Sequence, residues 1–241
     1  MARYGGDPKS GRVGNLVYRA DGVVQSAPVA RRRSNSPRVK ENNNDFATTS
    51  RYVEFFRNNA FVRMPIRDSR QRSRLFRSVR LALNSDGANP KGSKRLDRSL
   101  GIFIFQDFQL NANATFESLF GGSVSFSGYG VELKNALGNP YTGLDARAPS
   151  EATHLEFTSV VVGFDLKPDE PMVSAIAQQG STGKVPLDST ASPNPGLGPS
   201  DPAGTVVHVA IVGLQFFQED ASRYYLLNNV KYKGAKVVFA G

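Results

Sequence analysis

Residues 46–83 read FATTSRYVEFFRNNAFVRMPIRDSRQRSRLFRSVRLAL, and the rest of the chain divides around them. The stretch holds nine arginines, no lysine, and only Glu54 and Asp68 as acids. Phe46, Val53, Phe56 and Ala60 recur at helical spacing, and Tyr52, Phe55 and Phe61 widen the stripe, as in an amphipathic helix packed on more than one side. Pro65 ends that helix, because its ring blocks the next backbone hydrogen bond. The spacing predicts a second helix over 69–83, with Leu75, Phe76, Val79, Ala82 and Leu83 on one face and Arg70, Arg74 and Arg77 on the other. Together they predict a helical hairpin over 46–98.

The surrounding composition is globular. Of 241 residues, 39% are hydrophobic and 10% aromatic, enough to build a packed core. Cysteine is absent, which removes disulfides, thiolate metal sites and cysteine nucleophiles. The net charge of +9 is unevenly spread: residues 1–98 hold 22 Lys and Arg against 8 Asp and Glu, a balance of +14, while 99–241 stand at −5. A basic front half facing an acidic partner is implied, either nucleic acid or the acidic part of another subunit. No apolar run reaches the length of a signal-peptide core or a membrane span. The chain is therefore expected to be made in the cytoplasm and not to insert into a membrane.

Upstream, residues 1–45 form a basic arm. Leu16-Val17-Tyr18-Arg19 and Val23-Val24-Gln25-Ser26 flank Asp21-Gly22, a pair that tolerates the positive φ of a tight hairpin turn. So small a hairpin is expected to pair with a further strand. Arg31, Arg32 and Arg33 follow, as a phosphate contact or a solvated basic linker. Ser36 and Asp45 are candidate helix caps.

Downstream, the turn-rich run from Ser85 to Gly92 precedes the change of charge sign, and 99–241 reads as β. Short apolar runs at 102–105, 123–126, 154–162, 206–217, 223–227 and 236–239 are separated by Gly, Pro, Asn and Asp. Such punctuation predicts an antiparallel β-sandwich, jelly-roll or Ig-like. Residues 177–204, with five prolines and five glycines, are expected to be a long loop.

Candidate catalytic and metal sites fail on context. His154 and His208, with Glu156, could ligate a metal, but no spacing links them. Gly180-Ser181-Thr182-Gly183-Lys184 is too short for a phosphate loop, which needs four residues between its glycines and a hydroxyl after the lysine. Ser181-x-x-Lys184 has the spacing of a serine acylase without the helix that would align the lysine. No cofactor and no catalytic residue is assigned. The arginines are better suited to bidentate contact with carboxylate or phosphate and to stacking on aromatic rings.

Gly11-Arg12-Val13-Gly14-Asn15-Leu16-Val17-Tyr18, followed by Asn35-Ser36-Pro37-Arg38 and a helix, resembles the start of an uncharacterised family of small Bacteroidota proteins. Its members open on an SGKVGN motif, with an NPRT-like segment, a helical stretch and a β-rich C-terminal part. This chain departs from it with Arg12 for lysine, an inserted Ser36 and Val39 for threonine. The resemblance implies architecture and a bacterial or phage origin, and no chemistry. A basic arm before a β-sandwich is also similar to the coat proteins of many small viruses.

The expectation is a mainly β protein with a small α part: N-terminal β-hairpin arm, helical hairpin, then antiparallel β-sandwich. It is expected to be a non-enzymatic structural or assembly protein, a subunit of a virion or surface assembly that partners other copies of itself or other subunits. Phe55, Phe56 and Phe61 would anchor the contact, and Arg70, Arg74 and Arg77 would orient it. Nucleic-acid binding through Arg31, Arg32, Arg33 and the helices is the alternative.

Overall fold

The two short runs flanking Asp21-Gly22 pair as strands, as the turn signal predicts. β1 (Gly11–Val13), β2 (Leu16–Tyr18) and β3 (Val24–Ser26) form an antiparallel meander in which Val17 faces Arg12 on one side and Gln25 on the other. The computed structural model describes residues 11–13, 16–18, 24–26, 36–64, 66, 68–96, 105, 107–127, 130–165, 175–193, 195 and 206–240. They belong to two units, 1–39 and 40–241, and the meander lies in the first.

Helix α1 (Pro37–Asn59) starts well before Phe46, inside the polar stretch expected to be arm. Proline suits a helix's first turn, where its missing N–H would have no partner anyway and its φ is already helical. Ser36 precedes it and accepts Val39 N–H on its carbonyl (3.0 Å). Asn42, Asn43 and Asn44 fall on exposed positions, where they compete little with the helix. Asp45 is no cap: it is buried within the helix and accepts Gly92 N–H (2.9 Å).

In the second unit, a 3-10 turn at Phe61–Arg63 leads to α2 (Gln71–Ser85). Tyr52, Val53 and Phe56 of α1 join Leu75, Val79 and Leu83 of α2 in one apolar core. Their floor is a six-stranded antiparallel sheet. At its centre β6 (His154–Asp165) pairs with β9 (Val206–Asp220), Val160 facing Ile211 and Val162 facing Val209. β7 (Ala175–Ser181) and β8 (Val185–Pro186) pair with β6, while β10 (Arg223–Leu226) and β11 (Lys233–Ala240) pair with β9. The helices come close to the sheet at Gly213, where a Cβ would stand 2.4 Å from Met64 Sδ.

Alternation sends Leu155, Phe157, Val212, Leu214 and Phe216 to the opposite face. There they meet α3 (Phe116–Phe120), Tyr141 and the hairpin of β4 (Gly122–Ser127) with β5 (Gly130–Asn135). Gly121, in the left-handed region at φ 73°, ends α3 and turns the chain into β4. The second unit is thus helices, sheet and hairpin in succession.

One expected loop is corrected. Part of 177–204 is strand: β7 pairs Gln178 with Val161 and Ser181 with Thr158, and Pro186 of β8 faces His154. Polar residues and proline are admissible here because β7 and β8 lie at the sheet's margin, where the backbone alone makes the ladder. Of the run expected as strand at 102–105, only Phe105 lies within the described residues, and it is buried 4.9 Å from the ring of Phe56.

Candidate functional site

α2 fixes the arginine row. Asp68, just before the helix, accepts Arg70 N–H (2.7 Å), Ala112 N–H (2.7 Å) and Arg74 Nη1 (2.6 Å). Burial raises the Asp68 pKa, but these donors outweigh it and hold the carboxyl below its ordinary range. Arg74 also donates through Nη2 to the carbonyls of Gln109 (2.9 Å) and Leu110 (3.1 Å). Its guanidinium lies 5.8 Å from the Phe108 ring centre, and that ring stacks on Phe61 at 5.7 Å.

Arg74 is therefore spent within the chain, joining α2 to the segment that borders β11. Phe56 (3% exposed) and Phe61 (2%) are core residues, so neither is available as an anchor for a partner, and Phe55 is partly buried against the same core. The arginine–aromatic period signalled packing correctly, but it could not separate an inward face from a docking face. Arg70 and Arg77 are exposed. Arg31, Arg32 and Arg33 lie outside the described residues.

Three carboxylates of the helical layer lie inside and five arginines outside. Asp45 and Asp86 are buried, and the Asp68 side chain is 5% exposed. Asp86 accepts the N–H groups of Ala88, Asn89 and Arg95 as a brace for the turn after α2. Arg51, Arg63, Arg70, Arg72 and Arg77 are exposed, although Arg72 pairs with Glu54 at 2.7 Å. Phe46 (59% exposed) and Leu81 (54%) are exposed too, and the Phe46 ring lies 4.9 Å from that of Phe76. Arg77, Ser78, Asp107, Gln109 and Thr115 line an open groove of about 520 Å³ beside α2. Asp107, on its lining, pairs with Lys236 (3.3 Å), which also bonds Glu117 (2.7 Å).

A second polar cluster, whose members the sequence offers separately without joining them, lies at the end of the sheet face that the helices cover. The β6–β9 register sets His154 opposite Phe217 and Glu156 opposite Gln215. The β7–β8 turn, with Gly183 at φ 66°, adds Ser181 and Lys184. Ser181 Oγ donates to Glu156 Oε1 (2.6 Å), and Lys184 Nζ stands 3.8 Å from Oε2 and 4.8 Å from the Phe217 ring centre. His154 lies 3.6 Å from Glu219 and meets the Tyr224 ring edge-on at 4.9 Å. The lysine is paired with a carboxylate and an aromatic face rather than with Ser181, so the acylase geometry is not formed. His154 and His208 lie toward opposite ends of the sheet, roughly 30 Å apart along the strands, too far to share a metal. Among the described residues, no group of three His, Asp or Glu is placed to hold a metal ion.

No family model, curated protein or solved structure matches the chain.

Proposed function

We propose that the protein is a non-enzymatic assembly subunit that docks through its basic N-terminal part and the outer face of α1 and α2 onto the acidic surface of another copy. The observation that carries this is the sorting of charge in the helical layer. Three of the five carboxylates between residues 40 and 96 are turned inward as braces, while Arg51, Arg63, Arg70 and Arg77 are exposed, as are Phe46 and Leu81. A face with excess positive charge and exposed apolar side chains fits a partner that supplies carboxylates and apolar contact. Residues 99–241 carry exposed carboxylates, among them Asp107, Glu132, Glu151 and Asp188.

The β4–β5 hairpin, packed on the six-stranded sheet through Val131 and Leu133, is the second layer of a sandwich in this proposal. The N-terminal resemblance supports a bacterial or phage source, and a virion or surface assembly suits both.

The test is light scattering after size-exclusion chromatography of nuclease-treated protein at low and high salt, with absorbance at 260 and 280 nm. A defined particle free of nucleic acid at low salt, reduced by Arg70→Glu with Arg77→Glu, is expected. A monomer at high micromolar concentration in low salt would reject the proposal. The exposed arginines also suit phosphates, and the exposed Phe46 ring suits stacking with a base. A monomer that retains nucleic acid, with affinity falling linearly on a log–log salt plot, would make nucleic-acid binding the function instead.

A further inference from the structure

Among the described residues, one margin of the six-stranded sheet is closed along part of its length and open along the rest. Beside β11 the chain segment at 107–110 seals the edge: Asp107 N–H donates to Val237 O (2.9 Å), Leu110 N–H to Ala235 O (2.7 Å), and Val237 N–H to Phe108 O (2.9 Å). β10 lies on the same side of β9 and has no such cover among the described residues.

The hairpin geometry shows which groups β10 leaves unpaired. Its two-residue turn is Ala221-Ser222, with φ 47° and 65°, so Asp220 and Arg223 form the first ladder pair. Hydrogen-bonded pairs then recur at every second residue, at Tyr225 and at Leu227, whose N–H reaches Phe216 O (3.0 Å). The N–H and C=O of Tyr224 and Leu226 must therefore point away from β9. All four residues of β10 are exposed, Tyr225 at 51%. The strand carries no proline or bulge of the kind that protects an open edge, and its one charge, Arg223, stands at the turn end, leaving Tyr224, Tyr225 and Leu226 uncharged along the edge.

We infer that β10 pairs with β10 of a second copy, antiparallel, about a two-fold axis at Tyr225. This register sets Tyr224 opposite Leu226 of the second copy and joins their outward N–H and C=O groups. Aromatic and aliphatic side chains then lie across from each other on one face, with the two Tyr225 rings on the other. Charge selects the same occupant. The axis brings the turn of one hairpin, entered from Asp220, beside the 229–231 segment of the other, which carries Lys231. Both side chains are exposed and form no ion pair among the described residues. Asn111 holds that segment in place, donating through Nδ2 to Val230 O and Lys233 O (2.6 Å each). The symmetry makes the Asp220–Lys231 match twice. This contact is independent of the helical face.

The full chain, which has no cysteine, allows a direct test. The central pair of this register is not hydrogen-bonded, so its Cα atoms lie about 4.5 Å apart, within disulfide reach. Tyr225→Cys is expected to form a disulfide-linked dimer under mild oxidation. Leu226→Pro removes an outward N–H while sparing the ladder to β9, and should weaken the dimer about tenfold or more in sedimentation velocity. It should also abolish the Tyr225→Cys cross-link. Asp220→Lys and Lys231→Asp should each weaken the dimer, and their combination should restore it; this swap decides the matter if the proline variant fails to fold. A cross-link that survives Leu226→Pro in a folded chain, or a charge swap without restoration, overturns the inference, as does a monomer at every concentration. Arg70→Glu with Arg77→Glu should leave this dimer intact, so it and the helical docking face can fail separately.

Discussion

Asp68 gathers three donors from two distant parts of the chain, and its charge state couples to the fold. Burial alone would raise its pKa; the N–H groups of Ala112 and Arg70 and the Arg74 guanidinium reverse that and lower it. Asp86 follows the same pattern, with burial outweighed by the N–H groups of Arg95, Asn89 and Ala88 and the Asn89 side chain. A carboxyl lowered in the folded state contributes stability that is complete above its unfolded value, about 4, and is lost as pH falls through the folded one. Urea unfolding should therefore show a steep loss of stability below about pH 4. Asp68→Asn should cost about 1–3 kcal/mol at pH 7, by leaving Arg74 without its anion, and should flatten the acid dependence. An unchanged pH slope in that variant would show that Asp68 is not one of the groups responsible. Asp68 was legible in the sequence as one of two acids among nine arginines. Its partner Ala112 was not, because no local pattern encodes a bond across 44 residues.

Among the elements, those with a long apolar period were readable and those held by backbone pairing were not. α2, β6, β9 and β11 announce themselves through repeated buried positions. β7, with Gln178, Gln179 and Gly180, does not, because a marginal strand needs only N–H and C=O groups to pair. The period over 46–61 identified α1 but overextended its meaning, since the residues that make a helix amphipathic are the ones it buries. Phe61, 2% exposed and stacked on Phe108, should cost about 3–5 kcal/mol when replaced by alanine. Arg70→Ala, at an exposed position, should change stability by less than about 0.5 kcal/mol. Chemical denaturation of the two variants separates packing from docking: a stable Phe61→Ala chain with altered association would return Phe61 to the interface.

At the scale of the whole molecule, the proposal gives charge two separate jobs, and salt should tell them apart. The ions that brace the fold sit where solvent screens them little, as with Asp86 and with Asp68 against Arg74. The arginines proposed for docking lie outside, where the screening length shrinks from about 30 Å at 0.01 M salt to about 10 Å at 0.1 M. Sedimentation and thermal unfolding, run in parallel across that range, should diverge. Assembly through the helical face should fall away, leaving dimers joined at β10, whose central contacts are backbone hydrogen bonds and Tyr225 packing. The unfolding temperature should stay nearly constant. If stability and assembly declined together, the exposed arginines would be holding the fold rather than a partner. If neither changed, the helical face would carry no electrostatic contact, and the charge asymmetry of the chain would need another explanation.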